Sequence, residues 1–531
     1  MAVVHTTTFD AATAVEPGDL AQIVARRAGT QLDAPFVTDA RSQRRLSFAE
    51  LAGAVLAWEI WLSASGIRRG EAVALCVADP LEFCSAYVSI IATGRWVAPI
   101  DPTAPAAATD RSLDRLGPAL LISDRPEPAA RFGGLLGGVP GSGGLVASLP
   151  LWPAVVTGRG RTDVPHGISS GGALLFSSGS TGTPKLIPLH EHQLLDGARA
   201  VAGELGLEPG ETGFSPLPMF HINAQVVGVL AALWAGSGLV VDARFHRTGF
   251  WDLMDRHGVT WVNAVPAIIS HLCNGTDGES VPGRIRFIRS ASAPLPAATL
   301  RRFEAVTGIP VVETYGMTEA AGQIAANPVQ GPRKPGSVGR PVGFELRIDS
   351  GSPDEESRPG GPHVPGHVEI RGRRVGWSGD ATSTAHRSDP DLHEPWFGTG
   401  DLGYLDDDGY LFLVGRRDDV INRGGEKVYP REIEEVLRLD PRVSEAVVIG
   451  REHGALGQVP VAFISVRGVR DRSGLSTALT VGEVAREHLH EVLPLEKCPV
   501  AIHVVGRLPT TGNGKVARRQ VEDAEILVTL A

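Results

Sequence analysis

Cysteine is scarce, with four in 531 residues at Cys76, Cys84, Cys273 and Cys498. None forms a C-x-x-C pair, so neither a structural zinc site nor a disulfide framework is expected, and each is read as a buried thiol. No apolar run reaches the roughly 18 residues that a membrane span needs. The start, Met1-Ala2-Val3-Val4-His5-Thr6, lacks the basic and apolar regions of a secretory signal. A soluble, cytoplasmic chain is the expectation. Basic residues number 50 against 60 acidic ones, a net charge of −10 with no long basic block, which excludes nucleic acid as an expected partner. Only 5 of those 50 are lysines (Lys185, Lys334, Lys427, Lys497 and Lys515). In so arginine-biased a chain, each lysine directs attention to a place where a compact ammonium serves better than a planar guanidinium.

The length suits three or four compact units, and 43% apolar with 21% charged residues is an ordinary globular composition. Ser47-Phe48-Ala49-Glu50 has the spacing of a capping box, and Leu51, Val55, Trp58 and Leu62 follow at helical intervals. Ala72–Val77 reads as a buried strand, then come an apolar helix and a short strand at Trp96–Ile100. This alternation predicts a largely parallel sheet covered on both faces. Gly133–Gly144 and Gly158–Gly172 read as loops. From about 345 to 417 the pattern shifts to short strands with Gly/Pro/Asp turns, including Gly366–Gly372 and Tyr410–Val414, which predicts a small β unit. Beyond about 419 it is mixed again, with a helix at Pro430–Leu437, a strand at Ala446–Ile449 and a loop at Gly512-Asn513-Gly514.

The segment Leu174-Leu175-Phe176-Ser177-Ser178-Gly179-Ser180-Thr181-Gly182-Thr183-Pro184-Lys185 is the strongest chemical signal. A strand runs into small hydroxylated and glycine residues closed by a lysine, a loop whose N–H and O–H groups can approach phosphate oxygens closely. It is not a Walker A loop, because Pro184 stands where the second glycine should precede the lysine. Four further segments accompany it: Glu313-Thr314-Tyr315-Gly316-Met317-Thr318-Glu319, Trp396-Phe397-Gly398-Thr399-Gly400-Asp401, Gly415-Arg416-Arg417-Asp418, and Leu508-Pro509-Thr510-Thr511-Gly512-Asn513-Gly514-Lys515. Read alone, Asp401 is equally a turn residue, Glu319 a helix-start carboxylate, Tyr315 a core aromatic and Lys515 a solvated surface lysine.

Taken together and in this order, the five segments resemble the AMP-forming acyl-CoA synthetases of the adenylate-forming (ANL) superfamily. The resemblance implies an α/β multidomain fold. Residues 1–417 would form a large domain of two α/β subdomains plus a small β-barrel-like unit. Residues 418–531 would form a small mobile α+β domain hinged near Asp418. It implies ATP, Mg2+ and coenzyme A as cofactors and co-substrates and a carboxylic acid as substrate. The expected reaction is attack of the acid on the α-phosphorus of ATP, then thioester formation from the acyl-adenylate.

The resemblance also assigns residues. Ser177, Ser178, Gly179, Ser180, Thr181, Gly182 and Lys185 would cradle phosphate. Ser292, Ala293 and Pro294 would border the nucleotide with Glu313, Thr314, Tyr315, Gly316 and Met317. Asp401 and Arg416 would hold the ribose, and Thr318 and Glu319 would act at the phosphates, with Glu319 as magnesium ligand. Lys515 would swing in for the first step. Arg423, Gly424, Gly425 and Glu426 would face the pantetheine channel in the second. His221, which the resemblance also places among the catalytic groups, would border the acyl pocket with Asn223 and Gly322; a packed histidine is an equal reading of that residue. A homodimer is left open.

Leu217-Pro218-Met219-Phe220-His221-Ile222 carries no aspartate to pair with a substrate ammonium, which disfavours amino acids as substrates. Ile288–Ala293 and Ile421–Lys427 are similar to the branch that includes oxalyl-CoA synthetases. Gly322 and Asn223, however, stand where those relatives commonly carry histidines. Losing two imidazoles removes donors for a small dicarboxylate and opens volume, and the expected acid is bulky, apolar or aryl, of the kind secondary metabolism uses. Three alternatives stay open: an enzyme that performs only thioesterification of a supplied acyl-adenylate, one that loads a carrier protein, and a non-catalytic nucleotide-binding relative.

Overall fold

The computed structural model describes residues 19–125, 152–155, 171–177, 185–273, 280–350, 362–376, 395–510 and 516–530. Its local structure follows from the chemistry of the chain. Ser47 caps the helix Phe48–Ala64, with its Oγ accepting from Glu50 N at 3.1 Å while Glu50 Oε2 accepts from Ser47 N at 2.7 Å. Two orphan donors are thereby satisfied reciprocally. Asp79 caps the next helix, Pro80–Ala92, by accepting from Leu81 N and Glu82 N, and Pro80 occupies a position that has no N–H partner to lose.

Two sheets build the N-terminal part. One has six strands: Ala72–Cys76, Trp96–Pro99, Leu120–Ser123 and Gly172–Ser177 are parallel, and Trp152–Val155 and Lys185–His190 run antiparallel at its edges. The other has nine strands. Its parallel run comprises Val311–Met317, Phe287–Ser290, Trp261–Ala264, Thr212–Ser215, Gly238–Val241 and Pro35–Asp39. The early strand Pro35–Asp39 thus belongs to the sheet whose last strand is Arg340–Pro341, and pairs with Gly238–Val241, a long-range pairing that local periodicity cannot reveal.

One apolar core joins both sheets. Val73 and Leu75 pack into it with Leu51 and Trp58 of the capped helix and Phe36 and Phe214 of the second sheet. The intervening Ala72, Ala74 and Cys76 face the opposite side with Trp96, Leu113 and Leu116, as a two-residue side-chain period requires. Burial of both strand faces is why the sequence there is continuously apolar. All four cysteines are buried, and burial pushes the Cys84 thiol far up.

The small β unit is an antiparallel meander of Glu345–Asp349, Gly366–Arg371, Phe397–Leu405 and Leu411–Arg416. That sheet ends at Arg416; a turn at Arg417–Asp419 follows, and the next sheet starts at Ile421. The C-terminal unit packs the helices Pro430–Leu437 and Leu475–Val492 on a six-stranded sheet with its own core around Ile433, Ala462, Val481 and Val504. No described helix is long and apolar enough to cross a membrane. Two scarce lysines prove structural. Lys334 bridges Asp406 and Asp408, both at 2.6 Å, and Lys497 pairs with Glu432 at 2.9 Å.

Candidate active site

The parallel strands of the nine-stranded sheet all present their carboxyl ends at one edge, which is where open α/β sheets bind ligands. Thr212–Ser215 leads into Leu217–Ile222, Phe287–Ser290 into Ala291–Pro294, and Val311–Met317 into the turn Thr318–Ala320. Three segments singled out from the sequence are therefore neighbours.

Hydrogen bonds tie them together. Glu313 Oε1 accepts from Leu295 N at 3.2 Å, fastening the loop that carries Ser292, Ala293 and Pro294. Thr314 Oγ1 donates to Ser290 O at 3.2 Å. Tyr315 donates its phenolic hydrogen to Asp401, and Asp401 lies directly opposite Arg416 in the meander, 3.3 Å from it. Desolvation pushes the buried Glu313 carboxyl up to about 7, partly offset by the Arg431 charge of the C-terminal unit. Burial, with the Asp401 carboxylate beside it, holds the Tyr315 hydroxyl protonated. Tyr315 and Met317 pack partly against the apolar cluster of Ile324, Phe344 and Leu346.

Glu319 is half-buried on the Thr318–Ala320 turn. Among the described residues no cluster of three or more His, Cys, Asp or Glu could hold a metal. One carboxylate suits a magnesium ion that takes its other oxygens from water and nucleotide phosphates, and does not suit a protein cage.

The strands flanking the phosphate-loop sequence form a hairpin with Ser177 opposite Lys185. Ser178, Gly179, Ser180, Thr181 and Gly182 lie outside the described residues, as does Lys515. So do the Gly133–Gly144 stretch, all but the end of the Gly158–Gly172 stretch, and the Gly512–Gly514 loop. Asp418 is exposed on the turn that joins the meander to the C-terminal sheet. Gly424 and Gly425, with φ of 59° and 95°, are the two central residues of the hairpin pairing Arg423 with Glu426. A two-residue turn with both angles positive selects glycine by itself. Arg423 clasps the Leu495, Glu496 and Cys498 carbonyls at 3.3, 2.6 and 3.1 Å, so here it braces its own domain.

The residues expected at the acyl side, His221, Asn223 and Gly322, sit on the same sheet edge. His221 is half-buried, its ring 4.3 Å from that of Phe220. Asn223 opens the π-helical turn Asn223–Leu230, a rare geometry that concentrates at functional sites. Its amide donates to Ser292 Oγ at 3.3 Å. Its Oδ1 accepts from Arg289 at 3.0 Å and from Asn263 Nδ2 at 3.2 Å. Arg289 also donates to Asn263 Oδ1 at 3.0 Å and, through Nε, to Gln323 Oε1 at 3.3 Å. Arg289, Asn263 and Gln323 were not among the candidate residues expected from the sequence; the available signal was polar side chains within strands that otherwise read as apolar.

Gly322 has φ of 104°, and a Cβ there would lie 3.6 Å from Val226. Its backbone, more than crowding, selects glycine. A Cβ on Gly316 across the same pair of strands would stand only 1.9 Å from Gly322 O. Ser292, at φ 74°, and Ala321, at φ 50°, are non-glycine residues in the left-handed region in the segments that follow two of these strands, and strain of that kind gathers at functional sites.

Comparison with known proteins agrees with this geometry. The AMP-binding enzyme family matches residues 24–376, and the AMP-binding enzyme C-terminal domain matches 432–515. The chain is 33% identical to a sulfoacetate–CoA ligase of Cupriavidus necator, over 94% of this chain and 96% of that one. It is 32% identical to an oxalate–CoA ligase of Arabidopsis thaliana, over 87% and 89%. The O-succinylbenzoate coenzyme A synthetase of Bacillus subtilis, solved in complex with ATP and magnesium ion, superposes with a TM-score of 0.75 at 25% identity, covering 96% of this chain and 100% of that one. With matched segments along most of the chain and the residues expected on the nucleotide side converging on one sheet edge, the chain belongs to the AMP-binding enzymes and is an AMP-forming acid–CoA ligase of the ANL superfamily.

Proposed function

We propose that this ligase activates a bulky, aryl-sized carboxylic acid, with Mg2+ and coenzyme A completing the reaction. In the first step the substrate carboxylate attacks the α-phosphorus of ATP in line and pyrophosphate leaves. Negative charge grows on the α-phosphate oxygens. The Ser177–Lys185 loop, Thr318 and Lys515 are the groups of this chain that would meet it. Asp401, braced by Arg416, would accept hydrogen bonds from the ribose diol. Glu313 and the Ser292–Pro294 loop would line the base. Glu319 would ligate the magnesium, which would supply charge neutralisation at the phosphates.

In the second step the thiol of coenzyme A attacks the acyl carbonyl and AMP leaves. A pivot near Asp418 would withdraw Lys515 and bring the Gly424-Gly425 turn to the thiol channel. Because Arg423 is committed to the 495–498 loop, the backbone of that turn, more than the arginine, would face the pantetheine.

The observation that carries this reading is the Tyr315–Asp401–Arg416 group, which unites three sequence-distant segments at one place. The acid's size rests on Gly322 beside Val226 and on Asn223 in place of an imidazole. The acids named for the relatives, sulfoacetate, oxalate and succinylbenzoate, each carry a second acidic group. The test is incubation with ATP, magnesium, coenzyme A and a panel of acids, with products read by mass spectrometry. AMP and an aryl-CoA thioester are expected; AMP without thioester would favour carrier loading, and a marked preference for oxalate would overturn the bulky-acid reading.

A further inference from the structure

Arg289 is an anomaly in this molecule. It is buried at 2% exposure, on the interior strand Phe287–Ser290, yet among the described residues no carboxylate pairs with it. Desolvation alone lowers its basicity, down to about 9. A buried cation without an anion is costly, and a sheet interior offers apolar residues of similar volume that would avoid the cost. Its partners are three side-chain amides on three other elements: Asn223 on the π-helical turn, Asn263 on Trp261–Ala264 and Gln323 on Gly322–Ala326.

A guanidinium has donors and no acceptor, so it fixes all three amides in the same sense, with oxygen toward the cation and nitrogen away from it. The consequences are visible in the bonds. Asn263 Nδ2 donates onward to Asn223, and Asn223 Nδ2 donates to the exposed Ser292 Oγ. Gln323 Nε2, on a residue with no exposure, has no hydrogen-bond partner among the described residues. A cluster at the acyl edge of the sheet therefore presents N–H donors backed by an uncompensated positive charge, and one buried donor is left without an acceptor. Such an arrangement selects for an oxyanion and against an ammonium or an alkyl group.

We propose that Arg289 is a specificity-determining positioning residue. By holding the amide oxygens of Asn223, Asn263 and Gln323, and so turning the N–H groups of Asn223 and Gln323 away from the guanidinium while Asn263 braces Asn223, it makes the acyl pocket recognise an acid whose far end carries a second oxyanion, such as a carboxylate. This deepens the reading of a bulky acid and rests on Asn223 and Ser292 lining the acyl pocket, as proposed above. The substrate is then a dianion with an aryl-sized body, not a wholly apolar acid.

The experiment uses pairs of acids alike but for the second charge, succinate with butyrate and homophthalate with 2-methylphenylacetate. Both binding in the presence of AMP, by thermal shift and calorimetry, and turnover to the CoA thioester are measured. Wild type is expected to prefer the dianion by ~10-fold or more, mostly in KM. Asn223→Asp places a carboxylate on Arg289, which should abolish or invert the preference while raising the thermal midpoint, a combination that a merely structural role would not produce. Arg289→Lys should retain part of the preference and Arg289→Met none.

A preference for monoanions in wild type, or a ratio unmoved by Asn223→Asp, overturns the inference even if the acids are ligated well. Tight, selective binding of the dianion with neither AMP nor thioester formed would instead overturn the assignment of ligase chemistry and leave this inference standing.

Discussion

Tyr315 donates a hydrogen bond to Asp401 across 86 residues of chain. The bond joins the last parallel strand of the nine-stranded sheet to the antiparallel meander, so the two halves of the proposed nucleotide site are fastened before any ligand arrives. It also occupies one oxygen of the carboxylate that would receive the ribose. Hydrogen bonds to a charged group contribute about 1.5–3 kcal/mol each. Asp401→Asn is therefore expected to weaken ATP binding by ~10–100-fold in calorimetry, whereas Tyr315→Phe, which only releases the carboxylate, should change it by less than ~5-fold. Equal losses in both variants would show that the tyrosine, not the aspartate, carries the nucleotide.

Glu313 offers a pH signature. Its carboxyl titrates near 7 in the fold against 4.5 in an ordinary setting, because burial disfavours the anion. Below about 4.5 both folded and unfolded chains hold the proton, and its stabilising effect is complete. As pH rises the unfolded chain ionises first, so stability falls between about 4.5 and 7 and then levels off, by roughly 3 kcal/mol at most. Glu313→Gln keeps an acceptor for Leu295 N without the charge. The thermal midpoint of the variant is expected to gain on wild type across that window and stay level above about pH 8. A midpoint difference independent of pH would contradict the buried-acid account.

Much of the fold was legible in the sequence because local chemistry dictates it. The Ser47–Glu50 capping box, the all-apolar strand Ala72–Cys76, the Pro430–Leu437 helix and the turn-rich meander each carry their own signal. The pairing of Pro35–Asp39 into the distant sheet carried none, since strand partners are chosen by the whole core. The same division holds for the site. Glu313, Tyr315, Asp401 and Arg416 belong to recognisable segments, and they come together. The Arg289 cluster depends on four elements meeting at one sheet edge, and its meaning lies in the absence of a carboxylate among the described residues around it, which no linear pattern displays. Gly424 and Gly425 show a residue pair whose turn geometry explains it before any ligand is invoked.

Gly322 tests the shape of the acyl pocket. With φ at 104° any other residue is strained by about 1–3 kcal/mol, although Val226 leaves ordinary contact distance for a Cβ. Gly322→Ala should lower the thermal midpoint by a few degrees with modest kinetic change. Gly322→His adds the imidazole's volume and is expected to cut kcat/KM for the largest accepted acid by ~10-fold or more while leaving ATP affinity near wild type. An equal drop for small and large acids would place residue 322 away from the acyl group.

Lys515 and the Gly424-Gly425 turn bear on the proposed pivot from opposite sides. If the lysine serves only the adenylation step, Lys515→Ala should slow acid-dependent ATP–pyrophosphate exchange by ~10²–10³ or more, the usual cost of losing a group aimed at developing charge. Thioester formation from preformed acyl-adenylate should largely survive. Gly425 sits at φ 95° in an exposed turn, so Gly425→Val deforms the turn with little effect on the core. That variant is expected to show the reverse pattern, with exchange preserved and thioester formation slowed. The opposed losses follow from the proposed pivot, in which one small domain would present different surfaces to the same acyl-adenylate in turn. Both variants losing both half-reactions equally would mean that a single fixed arrangement of the domains performs the whole reaction.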